Sequence, residues 1–315
     1  MPDTQFGPKG WTPERISDVR GKTYVITGTT SGTGFQATRI LLGKGARVVM
    51  LNRNVEKSQK TEGMLRAEFG KDAEFLSITM DLSDLASVRN AAKKVLDVAP
   101  QIEALICNAA IAQVPNLQRT VDGFESQLGT NHYGHFVLSS ILFDRIEASS
   151  GRIVVVASLG YKMGLRTIQF DDLNWEKKYK ANPAYSQSKL AQMMFAYELQ
   201  DRLKASGGTT RVYVCHPGSS ATSLIDTSGS AITKFIFNLM KKSPMVQTAE
   251  QGAYPALMCA TEDNLEQRAL HGPTGRMEFI GPVGKGTLEP YAYDKEVMRK
   301  LWQVTERATK TVWGQ

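Results

Sequence analysis

Short β-rich runs alternate with helix-length segments along the first third of the chain, and this alternation constrains the fold more than any other feature. Strands and helices are predicted in turn at Thr23–Thr27, Thr33–Lys44, Arg47–Leu51, Val55–Phe69, Glu74–Thr79, Leu85–Val98 and Glu103–Cys107. The series continues with a helix at 131–147, a strand at 152–157, a helix at 183–205 and a strand at 211–215. Such alternation is typical of βαβ units. We therefore expect one doubly wound α/β domain, with a parallel sheet of about seven strands and helices on both faces.

Three stretches look like additions to this core: the first 20 residues, the charged and aromatic segment Leu159–Asn182, and the tail after Met277. The tail contains Gly and Pro turns and then a helical pattern from Asp294 to Thr309. We expect an N-terminal extension at 1–20, the α/β domain at 21–280, and a C-terminal extension at 281–315 that packs on the domain.

The composition excludes several classes of protein. With 42% hydrophobic and 22% charged residues, the chain resembles an ordinary soluble protein. It contains no apolar run of about 18 residues, so we expect no transmembrane segment. The first 20 residues lack the apolar stretch of a signal peptide, which makes the cytoplasm the expected location. The three cysteines lie in apolar runs, and the four histidines do not cluster with them or with acids. We therefore expect buried thiols and no metal.

The net charge of +7 comes from short basic clusters rather than from one long basic run. Solvated helix faces explain such clusters, and a basic balance also suits an anionic ligand or an anionic membrane surface. No nucleic-acid-binding motif occurs, so we expect no nucleic-acid partner.

A glycine-rich turn, Thr27-Gly28-Thr29-Thr30-Ser31-Gly32-Thr33-Gly34, follows the first predicted strand and precedes a helix. Glycines at this place allow the backbone to approach a pyrophosphate at the helix N-terminus. The spacing G-x3-G-x-G differs from G-x-G-x-x-G, and Phe35 stands where an NTPase phosphate loop needs lysine. The turn therefore predicts a nucleotide site.

The end of the second strand indicates which nucleotide is bound. An acid there would bind a ribose 2′-hydroxyl, whereas an arginine accommodates a 2′-phosphate. This strand ends in Leu51-Asn52-Arg53-Asn54, with Lys57 one turn later and no acid before Glu56. Arg53 could also be an ordinary surface residue. Because the planar guanidinium matches a phosphate bidentately, we expect NADP(H).

Tyr185 and Lys189 are four residues apart, so they share one face of a helix downstream of Ser158. A cation about 4 Å from the phenol, at an effective dielectric constant of about 20, supplies about 4 kcal/mol. That energy corresponds to roughly three pKa units and would bring the phenol towards neutral pH. Tyr-x3-Lys alone is common on helices, so its meaning depends on the other motifs.

Taken together, the motifs over residues 20–260 resemble the short-chain dehydrogenase/reductase family, which has a Rossmann fold. The resemblance implies cofactor contacts from Gly28, Thr30, Ser31, Gly32, Thr33, Gly34, Asp81, Leu82, Asn108, Ala109, Ala110, Pro217, Gly218 and Thr222, in addition to Arg53, Asn54 and Lys57. It also implies a catalytic set of Asn131, Ser158, Tyr185 and Lys189, the last two also touching the cofactor. Asn108-Ala109-Ala110 departs slightly from the family's Asn-Ala-Gly.

The resemblance also implies how these residues act. Tyr185 exchanges a proton with the substrate oxygen and Ser158 orients that oxygen. Lys189 lowers the Tyr185 pKa and binds the nicotinamide ribose, and Asn131 holds a relay water. Taken singly, Ser158 could be a polar residue that ends a strand, and Asn131 a helix cap. His132 and His135 are three apart, and structural hydrogen bonds explain them better than a metal does. His216 is expected to close a strand end.

Local phrases such as Asn52-Arg53-Asn54 and His216-Pro217-Gly218 resemble retinol dehydrogenase-like members. Residues 219–247 fall where the family carries a substrate loop, and 230–242 has helical apolar spacing. This segment is interpreted as a lid over a lipophilic substrate, a membrane-surface helix with weak contact, or an ordinary packed helix.

The expected function is therefore NADP(H)-dependent interconversion of a carbonyl and an alcohol on a bulky lipophilic substrate. Two alternatives remain, an NADPH-binding sensor of the same fold and a protochlorophyllide-type double-bond reductase. The family resemblance also implies a homodimer or a homotetramer.

Overall fold

The computed structural model describes residues 5–220 and 246–313, and within them eight strands form one sheet. The strands are β1 (Thr23–Thr27), β2 (Arg47–Asn52), β3 (Phe75–Thr79), β4 (Ala104–Cys107), β5 (Arg152–Val156), β6 (Arg211–Cys215), β7 (Leu270–Pro273) and β8 (Val283–Lys285). Their order is β3-β2-β1-β4-β5-β6-β7-β8, and neighbours from β3 to β7 are parallel. The doubly wound parallel fold is confirmed.

The sheet differs from the expectation at one edge, where β8 runs antiparallel to β7. This eighth strand belongs to the tail, which therefore joins the sheet as well as packing on it. Residues 274–282 turn the chain back, with the Thr274 N–H donating to Pro282 O at 2.8 Å. Both strands are short and contain glycine, so they carry little strand signal in the sequence.

Eight helices flank this sheet within the described residues. They are α1 (Gly32–Gly43), α2 (Val55–Phe69), α3 (Leu85–Val98), α4 (Ser126–Leu128), α5 (Gly134–Ala148), α6 (Ala181–Ser206), α7 (Ala249–Thr261) and α8 (Lys295–Thr309). Asn54, Asp84 and Asp294 each accept backbone N–H groups of the helix that follows. These caps stabilise the first turns, because helix-starting N–H groups lack partners within the helix.

The central strands are buried on both faces, as in a sheet covered by helices on two sides. The sheet has one hydrophobic core on each face, and alternate residues of β1 belong to one core or the other. Val25 belongs to the core that contains residues of α3, α5, α6 and α8. Tyr24 and Ile26 pack with residues of α1 and α7 and with Trp11. The three cysteines are free and buried, as predicted.

The predicted helix at 131–147 is divided in the structure. Its start is a π-helical turn, Gly129–Tyr133, which lies between α4 and α5. Glu125 begins the run earlier by accepting the N–H groups of Gln127 and Leu128. Gly129 is pressed against Thr120, where an added Cβ would collide with the Thr120 methyl group. A π turn adds a residue to the helical repeat and is frequent at functional sites.

Both chain extensions pack on the domain. The Trp11 side chain is buried. The Trp11 backbone N–H donates to Val283 O at 2.9 Å, and Gly10 forms a bridge with Val283. At the other end of the chain, Trp302 of α8 packs against the rings of Phe136 and Phe195. Helix α8 therefore covers part of α5 and α6.

No helix in the described ranges is long and apolar enough to cross a membrane. Most of the expected substrate loop, including Thr222 and the helical pattern at 230–242, lies outside the described residues.

Candidate active site

The predicted site residues gather at the carboxyl edge of the sheet. The glycine turn follows β1, Asn108 follows β4, Ser158 follows β5 and Pro217 follows β6. β2 and β4 lie on opposite sides of β1, so the strand order reverses direction beside the glycine turn. A crevice at such a switch point is where doubly wound folds bind nucleotides.

The glycine turn is packed too tightly for side chains at two positions. Gly28 has a φ of +71°, and a Cβ there would lie 2.8 Å from the Cβ of Ala109. A Cβ at Gly34 would collide with the Gly28 carbonyl oxygen. The bare backbone therefore leads into the N-terminus of α1 at Gly32, a cradle that fits a pyrophosphate.

The Asn108 side chain holds this turn by hydrogen bonds. Its Nδ2 donates to Thr27 O at 2.8 Å and to Gly28 O at 3.0 Å, and its Oδ1 accepts from Thr33 Oγ1 at 2.9 Å. Sequence reasoning missed a second such residue, Asn52, whose Oδ1 accepts from the Thr29 N–H at 2.7 Å. Both amides are committed to holding the loop. Thr30 and Ser31 lie at its more exposed rim.

The expected 2′-phosphate residues divide into two roles. Arg53 and Lys57 are exposed beyond the end of β2. The Asn54 side chain instead caps α2 by accepting from the Lys57 N–H at 2.7 Å. Asp81 also has a local partner, since it accepts from the Ser83 N–H and hydroxyl at 2.9 and 2.7 Å.

The next predicted contacts, Leu82 and Asn108 to Ala110, lie in the loops that follow β3 and β4. Leu82 is buried and its carbonyl oxygen presses on Gly134, where a Cβ would lie 2.6 Å away. The N–H groups of Asn108 and Ala109 both donate to Thr27 Oγ1, at 3.0 and 2.9 Å. Ala110 follows them and is partly exposed.

Ser158 and Tyr185 form the centre of the candidate catalytic group. Ser158 begins a 3-10 turn after β5, and its Oγ accepts from the Gly160 N–H at 3.1 Å. Burial raises the pKa of Tyr185, and the hydrogen bond with Ser158 offsets part of that increase. A Cβ at Gly160 would lie 2.8 Å from the Tyr185 ring, so this glycine permits their close approach.

Lys189 differs from the expectation. Its buried Nζ donates to Val156 O at 3.0 Å and to Gln192 Oε1 at 2.9 Å. Burial lowers the pKa of Lys189 to about 7. The ammonium is thus directed to the end of β5 and to its own helix, and the Tyr185 pKa is raised rather than lowered. The predicted lowering of the Tyr185 pKa by Lys189 is not found in this structure.

Asn131 fastens two parts of the site together. Its Oδ1 accepts from the Ile111 N–H, and its Nδ2 donates to Ile111 O and to Ser188 Oγ, each at 2.9 Å. Asn131 therefore joins the loop after β4 to α6, next to Lys189. The alternative of a helix cap is wrong, because these bonds lie outside the backbone of its own helix.

The three histidines singled out from the sequence make structural hydrogen bonds. His132 Nε2 pairs with Thr305 Oγ1 at 2.8 Å, and His135 pairs with Thr27 Oγ1 and Asn131 O at 3.0 and 2.8 Å. Burial lowers the pKa of both rings, to about 3 and about 4. His216 Nδ1 accepts from the Gly218 N–H at 3.2 Å, which closes the end of β6 as expected.

The loop after β6 is held from two sides. Pro217 O accepts from Gln247 Nε2 at 2.7 Å, and the Ser219 N–H donates to Phe279 O at 2.8 Å. Gly218 has a φ of +62°, and Pro273 is packed against it. The carbonyl of Phe279 therefore brings the C-terminal tail to the predicted nicotinamide loop.

The fold and this edge define a nucleotide-binding α/β protein that carries a Ser, Tyr and Lys group beside its nucleotide cradle. A model of the short chain dehydrogenase family matches residues 22–170. Human retinol dehydrogenases 14 and 12 are 37% and 36% identical to the chain, covering 91% and 90% of it and 86% and 85% of themselves. The chain belongs to the short-chain dehydrogenase family. It is therefore an oxidoreductase with a nicotinamide cofactor.

Solved structures agree with this assignment. An uncharacterised protein from Mycobacterium paratuberculosis has 33% identity and a TM-score of 0.78, covering 97% of this chain and 100% of its own. Levodione reductase, at 19% identity and a TM-score of 0.63, covers 79% of this chain and 93% of its own. The second likeness concerns the fold alone.

Proposed function

We propose that the chain is an NADP(H)-dependent oxidoreductase that interconverts a carbonyl and an alcohol on a bulky lipophilic substrate. The observation that carries the proposal is that Ser158 Oγ and the Tyr185 ring both lie beside Gly160, with buried Lys189 on the same helix as Tyr185 and the glycine cradle on the same sheet edge. The substrate class is supported by the names of the relatives, since retinol is a lipophilic alcohol.

The chain's own residues supply proton transfer and positioning, and the nicotinamide cofactor supplies or accepts the hydride when bound. Ser158, held by the Gly160 N–H, orients the substrate oxygen. Tyr185 donates its phenol proton to that oxygen in reduction and withdraws a proton in oxidation. A raised pKa keeps Tyr185 protonated at neutral pH, which suits reduction. Negative charge on the phenol oxygen would be stabilised by the hydrogen bond with Ser158.

The choice of NADP(H) rests on the end of β2. Arg53 is exposed there, and within the described part of the chain it forms no ion pair. Lys57 adds a second cation one turn later, while Asn52 and Asn54 are occupied in holding the loop and capping α2. A guanidinium that forms no ion pair with the described residues is well suited to bind a 2′-phosphate.

The test is NADPH oxidation in the dark by purified protein, with retinal, steroids, quinones, fatty aldehydes and aromatic ketones as substrates. We expect turnover with at least one of them and its loss in Tyr185→Phe, with NADPH binding nearly unchanged. Tyr254→Phe, which removes a phenol oxygen from α7, is the matched control and should remain active.

Two outcomes would contradict the proposal. Turnover that survives in Tyr185→Phe would exclude this tyrosine as the proton donor. NADPH binding without turnover on the whole panel would favour the sensor hypothesis.

A further inference from the structure

The ammonium of Lys189 is held by two fixed acceptors, one of which the sequence motifs do not include. Gln192 lies three residues after Lys189 on α6, and both side chains are buried. Gln192 Oε1 and Val156 O accept from Nζ at 2.9 and 3.0 Å. An ammonium has three N–H groups and no acceptor, so these two bonds leave one N–H for a further partner.

The Gln192 amide has one orientation that fits. Its oxygen must face Lys189, because an ammonium cannot accept a hydrogen bond. Its Nε2 then lies against the His135 ring, 3.5 Å from Nδ1. Because His135 Nδ1 donates its hydrogen to Asn131 O, this contact with Gln192 Nε2 is packing and not a hydrogen bond.

His135 is fixed at both ring nitrogens. Asn131 O can only accept, so Nδ1 carries the ring hydrogen and donates it at 2.8 Å. Thr27 Oγ1 accepts from two backbone N–H groups and donates its single proton to Nε2 at 3.0 Å. The lowered pKa agrees with this neutral tautomer. The ring is thus a rigid wall behind Gln192.

We propose that Gln192 is a positioning residue for Lys189, packed against a His135 ring that is hydrogen-bonded to the nucleotide-binding strand β1. This inference rests on the proposed function. In the proposed function, Lys189 already has its position when the nucleotide binds, with one N–H left for a ribose hydroxyl. A neutral amide orients the ammonium, whereas a carboxylate at position 192 would form an ion pair with it.

A simpler alternative is that Gln192 has only a packing role in the core and does not position Lys189. The two hypotheses differ in how charge at position 192 affects Lys189. The groups that face Lys189 are Cys107 on β4, Cys215 on β6, His135 on α5 and Tyr185 on its own helix. Burial raises the pKa of Cys107 to about 12, and His135 is neutral at pH 7. A carboxylate placed at 192 therefore faces the ammonium directly.

The test compares Gln192→Glu with Gln192→Leu in the nucleotide-free protein. The Lys189 Cε resonance is followed by NMR from pH 5 to 10, and it is assigned by its loss in Lys189→Met. We expect the Lys189 pKa to rise by about one unit or more in Gln192→Glu and to fall in Gln192→Leu. Turnover decreases as the pH rises through the Lys189 pKa. This decrease should occur at a higher pH in Gln192→Glu and at a lower pH in Gln192→Leu.

Met193→Leu, a buried and volume-conserving change on the same helix, should move neither property. Should Gln192→Leu fail to fold, Gln192→Met takes its place. An unchanged Lys189 pKa in both folded variants would overturn the proposal. The NMR result does not depend on turnover, so a failure of the proposed function in Tyr185→Phe would remain distinguishable from it.

Discussion

Asn52 and Arg53 are neighbours at the end of β2, and their side chains have opposite surroundings. Asn52 points inwards and is committed to Thr29 of the glycine turn. Arg53 points outwards and is exposed. Asn52 therefore shapes the glycine turn, and the proposed preference for NADP(H) depends on Arg53.

Arg53→Ala should weaken NADPH binding and leave NADH binding nearly unchanged, because NADH has no 2′-phosphate. A charged hydrogen bond contributes about 1.5–3 kcal/mol, so we expect roughly a ten- to hundredfold increase in the NADPH Kd. Fluorescence titration of both nucleotides measures the effect.

Lys60→Ala is the matched control, since Lys60 is an exposed cation farther along α2. It should change the NADPH Kd much less than Arg53→Ala does. Equal weakening of NADPH and NADH in Arg53→Ala would mean that Arg53 does not bind the 2′-phosphate.

At the scale of elements, α8 joins the catalytic helices through an aromatic cluster. Trp302 is 2% exposed and packs against Phe136 of α5, Phe195 of α6 and Trp313. In the same region, Thr305 binds His132, the neighbour of Asn131. The tail therefore supports the helices from which Asn131 and Tyr185 project.

Trp302→Ala should lower the free energy of unfolding by about 3–5 kcal/mol, since it leaves a large cavity among packed rings. Urea denaturation, with the midpoint and slope fitted together, measures this loss. Arg299→Ala, on the exposed face of α8, should change stability by less than about 0.5 kcal/mol. Similar losses in the two variants would mean that α8 contributes little to the core.

The elements differ in how far the sequence predicts them. β1, α2, α3 and β6 have the predicted bounds, because their hydrophobic patterns and flanking residues are regular. Helix α7 was missed although Thr248 and Gln251 form a capping box, a signal that is visible in the sequence. The π turn at Asn131 was missed because periodicity analysis assumes a regular helix.

The site shows the same division. The order of Asn131, Ser158, Tyr185 and Lys189 identifies the group, but the sequence gives no distances between side chains. Lys189 illustrates the limit, because its partners Val156 O and Gln192 depend on how α6 lies over β5. The prediction that Lys189 lies against Tyr185 used helical spacing alone.

For the whole molecule, buried histidines make stability sensitive to acid. His132, His135 and His216 are buried, with pKa values lowered by burial to about 3, about 4 and about 4. An unfolded histidine has a pKa of about 6.5, so below that pH the unfolded chain binds more protons and is favoured. Their contribution to stability is complete above pH 6.5 and is lost as the pH falls towards 4.

Between pH 7 and pH 5 each of these histidines should cost about 2 kcal/mol of stability. Urea denaturation at the two pH values measures the total. His132→Gln removes one titrating ring, so its loss between the two pH values should be smaller by about that amount. An equal loss in the wild type and the variant would show that His132 does not titrate in this range.

The predicted homodimer or homotetramer and the cytoplasmic location stay predictions. Helix α8 covers part of α6, so a second copy of the chain in a dimer or tetramer would have to bind a different part of α6.

The segment around Trp11 contacts residues that are made much later in synthesis. Trp11 Nε1 donates to Glu262, 251 residues away, and its backbone N–H donates to Val283. A ribosome releases the chain from its N-terminus, so these partners do not exist while most of the sheet is already outside the exit tunnel. Trp11 therefore cannot make these contacts until Glu262 and Val283 have left the ribosome. Its fluorescence, separated from that of Trp175, Trp302 and Trp313, would report when this segment packs on the domain.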